Sequence, residues 1–399
     1  MLHIFLQLPS FAVRALRFTG LACAMGLAAC GGASDTGTLR LALTDDPACG
    51  YSAVNVTILK VRVHQSGGAA DSDAGWSEID LSRVPQLQQP VNLLTLTNGN
   101  LAELGQLAVP TGKYTQMRLV LEANGSTAPW ANSVVPVGGS EPLPLTTPSG
   151  QQSGLKVDVD IDIASGKVSD MVLDFDACKS IVSAGASGRL LLKPVVSVMP
   201  RYASGMLGYI DPALSNGSTL VTAQKAGVVM KASTPDGTGR FLLQPLAPGT
   251  YDLVVTSPGH ATQVVTGVVV STDTVTSVNT ASSMLNPPLS ASAALNGVVT
   301  TPSAATHASV RVLQVLGSGT IEVASAAVGA PSGLYAFSVP VEAPQRASYV
   351  ASPGTLGFVA DTAAAAEYVL EAVFGGAVRS AGPIVVTSNS TNKTDFTFP

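Results

Sequence analysis

Six aspartates in two neighbouring stretches are the best candidates for chemistry in this 399-residue sequence. Asp158, Asp160 and Asp162 alternate with Val157, Val159, Ile161 and Ile163. Successive side chains of an extended strand point to opposite faces, so this spacing sets three carboxylates on one face and an apolar stripe on the other. Asp170, Asp174 and Asp176 follow on what reads as the next strand. Clustered carboxylate oxygens are hard ligands, and Asp158, Asp160, Asp162, Asp174 and Asp176 could together hold calcium. The same row is equally a solvated face that opposes edge-to-edge pairing, and two of its members at the right separation could serve glycoside hydrolysis. Trp76 and Trp130 offer flat surfaces for stacking on a sugar ring, or simply for packing under a loop.

Other catalytic signals are missing. His64, His260 and His307 are far apart in sequence, and none has a second histidine at metal-ligand spacing. Gly-x-Ser-x-Gly, His-Glu-x-x-His and the phosphate-binding loop do not occur. The expectation is therefore a protein with no catalytic residues and no obligatory cofactor, calcium being the one ion its carboxylates suggest.

The elements that must position these residues are short strands. Only 12% of residues are charged, and there are 39 Gly and 26 Pro. Val, Ala, Ser and Thr take the place of Lys and Glu, a mixture that favours strands and turns over helices. Leu39–Leu43, Ala53–Val63, Gly112–Leu121, Leu155–Ile163, Val168–Phe175 and Leu190–Met199 read as strands. Eight or nine of them within about 160 residues imply a sandwich. The net charge of −5 removes the electrostatic basis for binding nucleic acid.

The N-terminus reads as an address. Arg14 and Arg17 precede an apolar stretch, Phe18 to Ala29, too short to span a bilayer as a helix. It ends in Leu27-Ala28-Ala29-Cys30, followed by Gly31-Gly32-Ala33-Ser34-Asp35. This resembles the bacterial lipoprotein signal, in which the cysteine is lipidated and the chain is cut just before it. The resemblance implies lipidation at Cys30, a signal peptide over 1–29, a tether over 30–37 and membrane attachment through the lipid. By resemblance to the enterobacterial lipoprotein sorting pattern, Gly31 rather than Asp after the cysteine implies the outer membrane, with the protein facing the periplasm or the surface. Loss of residues 1–29 removes two arginines and no acidic residue, lowering the net charge to −7. Of the remaining cysteines, Cys49 and Cys178 stay in an oxidising compartment, as one disulfide or as two buried thiols. A bridge closing a loop of about 130 residues stabilises by roughly 4–5 kcal/mol at most.

Several motifs then fall in one collinear set. Leu43-Thr44-Asp45-Asp46-Pro47-Ala48-Cys49, Gly75-Trp76, Leu93-Leu94-Thr95-Leu96-Thr97-Asn98-Gly99, Pro110-Thr111-Gly112-Lys113-Tyr114 and Leu173-Asp174-Phe175-Asp176-Ala177-Cys178 together resemble a bacterial lipoprotein domain, domain of unknown function family 4382, over residues 38–200. That resemblance implies no activity. Farther on, Gly239-Arg240-Phe241 and Leu246-Ala247-Pro248-Gly249-Thr250-Tyr251 resemble the carboxypeptidase regulatory-like, transthyretin-like sandwich over 205–281. Leu295-Asn296-Gly297 and Gly333-Leu334-Tyr335-Ala336-Phe337 open a weaker copy over 294–399, and 282–293, with Pro287-Pro288, reads as a linker. The expected fold class is all-β: tandem β-sandwiches, Ig-like or transthyretin-like, behind a lipoprotein signal peptide. The expected role is structural, adhesive or scaffolding in the cell envelope, with envelope polysaccharide or protein as partner. Carbohydrate binding is the alternative, resting on fold analogy and the two tryptophans.

Overall fold

A computed structural model describes residues 36–46, 51–82, 90–147, 154–184, 189–193, 195–302, 308–329, 332–351 and 354–399. The described chain is built from strands, with a single α-helical turn at Ala177–Ser180 and a few 3-10 turns.

The first body is assembled around the strand Thr36–Asp46. Leu39, Leu41 and Leu43 all point into the first apolar cluster and are fully buried. This strand pairs in parallel with Val168–Asp176 and antiparallel with Ala102–Pro110, and Val196–Pro200 extends the sheet. A second sheet orders Leu155–Ile163, Gly112–Leu121, Ile58–His64 and Ser77–Asp80. Its Tyr114, Met117, Leu119 and Ile161 meet the leucines across the core. Tyr114 turns its hydroxyl back to donate to the Pro110 carbonyl, closing the Pro-Thr-Gly turn before the strand. A third sheet, including Tyr51–Val56 and Ser133–Pro136, closes the same core.

The other two bodies repeat one topology. Gly205–Tyr209 pairs antiparallel with Arg240–Leu243 and parallel with Val275–Ser277. Ser292–Thr300 does the same with Leu334–Pro340 and Thr391–Lys393. In the facing sheets, Leu220–Lys225 lies between Val228–Ser233 and Gly249–Thr256, just as Ala308–Leu316 lies between Gly319–Ala327 and Glu367–Phe374. A Cβ on Gly208 would lie 2.4 Å from the Phe241 ring, and one on Gly297 would lie 1.7 Å from the Thr394 carbonyl. Both opening strands therefore carry glycine where a neighbouring group, a ring in one and a backbone carbonyl in the other, leaves no room for a Cβ. Each body buries its own apolar cluster between its sheets.

The bodies are not strung loosely. Gln345–Ser348, from the last third of the chain, adds a parallel strand to the second body beside Gln263–Val270. Val254 and Val264 of the second body share a small apolar cluster with Leu316, Ile321 and Ala364 of the third. Within 282–293, whose composition reads as a linker, residues 285–290 are laid against the second sandwich and Ser292 already begins the strand Ser292–Thr300. Leu285 is buried there, and the Pro288 carbonyl accepts from Ala261 N–H. Small residues and prolines permit this close path because they carry little side-chain entropy to lose.

Candidate functional site

Alternation in the strand Val168–Asp176 decides where its carboxylates go. Met171, Leu173 and Phe175 face the first core, so Asp170, Val172, Asp174 and Asp176 face away from it. At Asp174 that outer face is covered by the second sandwich. Both Asp174 carboxylate oxygens accept from Lys231 Nζ, at 2.9 and 2.8 Å, and the side chains are only 5% and 1% exposed. Beside this pair, the Asn98 turn docks onto the same sandwich. Asn98 N–H donates to Ser233 Oγ, Asn98 Nδ2 donates to the Thr234 carbonyl, and Asn98 Oδ1 accepts from Leu242 N–H. Asn98 adopts φ 57°, a left-handed conformation that asparagine tolerates better than most residues. Polar groups thus meet across the first interface with their hydrogen bonds satisfied.

Asp176 begins a different arrangement at the meeting point of all three bodies. Its Oδ1 caps the helical turn by accepting from Lys179 N–H at 2.9 Å, and its Oδ2 accepts from Lys179 Nζ at 2.7 Å. Opposite, on the third body, stands Glu322, 8% exposed and 3.6 Å from Arg311 Nη1. Burial pushes the Glu322 carboxyl above its ordinary value, and the nearby Lys179 and Arg311 oppose that shift. Between these groups lies a cavity of about 390 Å³ whose walls include Leu220, Val229, Val323, Ala324 and Phe337. Gln224 seals the neighbouring edge: its side-chain amide donates to the Glu322 carbonyl and accepts from Glu322 N–H, as a paired strand would.

The aspartates that share a pattern in sequence are separated in space. Asp158, Asp160 and Asp162 lie exposed on the outer face of their sheet, with Asp160 bound to Lys113 at 2.9 Å and Asp158 3.8 Å from Lys156. Asp174 and Asp176 belong to another sheet, because Val168–Asp176 pairs with Thr36–Asp46 rather than with Leu155–Ile163. Among the described residues no three His, Cys, Asp or Glu side chains converge where they could hold a metal ion. Trp76 is folded into its own loop. Its Nε1 donates to the Ala70 carbonyl, and the guanidinium groups of Arg62 and Arg118 lie 4.6 and 4.9 Å from its ring centroid. His64 stands 5.0 Å away. Trp130 is half-buried in the loop before Ser133–Pro136. Cys30, Cys49 and His307 lie outside the described residues, and the backbone of Cys178 lies in the turn Ala177–Ser180. Lys231, Asn98, Lys179, Arg311 and Glu322 carry no sequence signal of their role. Each sits in a strand or turn whose local pattern would read the same with the residue in water.

Sheets packed face to face around three apolar cores, three sheets about the first and two about each of the others, make this an all-β protein of tandem β-sandwiches. Residues 36–194, covering most of the first body, match the model of a family described as Domain of unknown function (DUF4382). No curated protein matches the chain in sequence. Among solved structures, a type II cohesin-X-dockerin complex from Acetivibrio cellulolyticus is similar at 22% identity and a TM-score of 0.19, over 22% of this chain and 58% of that one. The chain thus spans less than two thirds of that relative's length. The minor pilin GBS52 of Streptococcus agalactiae is similar at 10% identity and TM-score 0.15, covering 52% and 85% of the two chains. For the pilus adhesin SpaC of Lactobacillus rhamnosus GG the figures are 11% and 0.15, over 91% and 44%. No helix among the described residues is long and apolar enough to cross a membrane.

Proposed function

We propose that the chain is a non-catalytic, lipid-anchored protein of the bacterial cell envelope whose docked sandwiches act as a rigid scaffold. The observation that carries this reading is the buried Lys231–Asp174 pair between the first two bodies. Taking both charges out of water costs several kcal/mol per ion, and only a fixed geometry with close hydrogen bonds offsets that cost. Bodies that swung freely on a tether would leave these groups hydrated. A rigid arrangement instead sets the loops at the sandwich ends at a defined distance from the anchor, where partners are usually met. The anchor itself rests on Cys30 and the residues around it, and the outer-membrane location on Gly31.

Two measurements test the reading together. Cys30→Ser expressed in a bacterial host should leave the membrane fraction or accumulate as precursor, while the parent chain stays membrane-bound. Limited proteolysis of the exported parent should spare the junctions near residues 201–204 and 285–291 until the whole chain unfolds. Unchanged partitioning of the Ser variant would overturn the anchor, and early cleavage at either junction would overturn the rigid scaffold.

A further inference from the structure

We infer that the cavity where the three sandwiches meet is a binding site for a small amphipathic amine, an apolar body carrying one ammonium group. The cavity, of about 390 Å³, continues into a smaller one of about 180 Å³ that reaches His260, the two sharing Ser218, Thr256, Pro258, Val323 and Ser338. A volume in this range, lined mostly by apolar groups with a few polar ones, is typical of small-molecule sites. Leu220, Val229, Val323, Ala324 and Phe337 supply the apolar surface, and three separate bodies contribute to the walls.

The charged end selects the sign of the ligand. Arg311 directs its short hydrogen bonds elsewhere: Nε and Nη2 donate to Glu371 at 2.9 and 2.6 Å, and Nη1 donates to the Gly227 carbonyl at 3.0 Å. Glu322 is approached by Arg311 Nη1 at 3.6 Å and also has Ser325 as a hydrogen-bond partner and the Lys179 charge nearby. Lys179 is held by Asp176 at 2.7 Å. The charged side chains that line the cavity are Asp176, Glu322 and Lys179, two carboxylates against one cation, so this end attracts a cation and repels a carboxylate. Where the lining groups are partly buried, as Asp176 and Glu322 are, such complementarity counts for more than it does in water. Ser218, Thr256 and Ser338 provide further hydroxyls along the wall for a ligand's polar atoms. The inference stands on the cavity and its charges, independently of lipid anchoring.

The test uses the exported full chain and three probes of equal length: hexylammonium, hexanol and hexanoate, each titrated calorimetrically and followed by ligand-observed NMR. Hexylammonium should bind at least tenfold more tightly than hexanol, and hexanoate should not bind measurably. Glu322→Gln should weaken hexylammonium at least tenfold while leaving hexanol unchanged. Ala324→Phe, which fills the cavity from an already half-buried position, should abolish binding of both hexylammonium and hexanol with circular dichroism unchanged. Equal binding of the three probes, no binding of hexylammonium, or indifference to Ala324→Phe would each overturn the assignment.

Discussion

Replacing Lys231 by Met keeps most of the stem's volume and removes the ammonium that sits between the first two sandwiches. The Asp174 carboxylate then loses the partner that meets both of its oxygens, at 2.9 and 2.8 Å, in a place where it is only 5% exposed. Breaking a buried pair from one side costs about 3–5 kcal/mol, because the remaining charge stays desolvated. The lower end applies here. The pair lies between two bodies, so the loss is capped by the free energy of docking them: once opening becomes cheaper than burying the carboxylate, water enters. Lys231→Met should therefore cost about 3 kcal/mol and turn one unfolding transition into two. Asp174→Leu alone should destabilise similarly, whereas the double variant Asp174→Leu with Lys231→Met buries apolar groups on both sides and should recover at least about 2 kcal/mol of the summed losses. Urea unfolding monitored by far-UV circular dichroism and by the fluorescence of Trp76 and Trp130, both in the first body, separates the two transitions. Additivity of the single losses to within about 0.5 kcal/mol would refute the reasoning, since it would mean that the two side chains do not sense each other.

Two further outcomes are expected. Non-reducing peptide mapping of the exported protein should recover Cys49 linked to Cys178, because the parallel register sets Asp46 beside Asp176, three and two residues before the cysteines; free thiols at both positions would contradict it. Burial, helped by Asp395, raises the Tyr335 phenol from 10.0 to about 12. The folded state thus holds this proton more tightly than the unfolded chain does. The resulting stability is complete below pH 10 and is lost as pH rises from 10 through about 12. Tyr335→Phe should cost about 1 kcal/mol at neutral pH, through the lost hydrogen bond to the Thr394 carbonyl. It should also make the alkaline fall in stability shallower, and an unchanged slope between pH 10 and 12 would count against the assignment.

Much of this architecture is legible in the residues themselves. Strand character follows from local pattern: Leu155, Val157, Ile161 and Ile163 turn inward and Asp158, Asp160 and Asp162 outward because the period of a strand is two. The glycines at 208, 239, 297 and 333 announce two related sandwiches, since each marks a position with no room for a Cβ, against the Phe241 ring at Gly208 and against a backbone carbonyl at the other three. Such signals are local, and a single strand with its immediate neighbours suffices to produce them. The partner of each strand face is not local. Asp174 and Asp160 occupy the same kind of outward position, yet one is buried against Lys231 and the other lies in water beside Lys113, which no periodicity distinguishes. The cavity between Asp176, Lys179 and Glu322 likewise exists only where three bodies converge. Local sequence determined which face of each strand is apolar. Docking of the sandwiches decided which polar faces are covered, because that depends on residues more than fifty positions apart meeting with matched charge and shape.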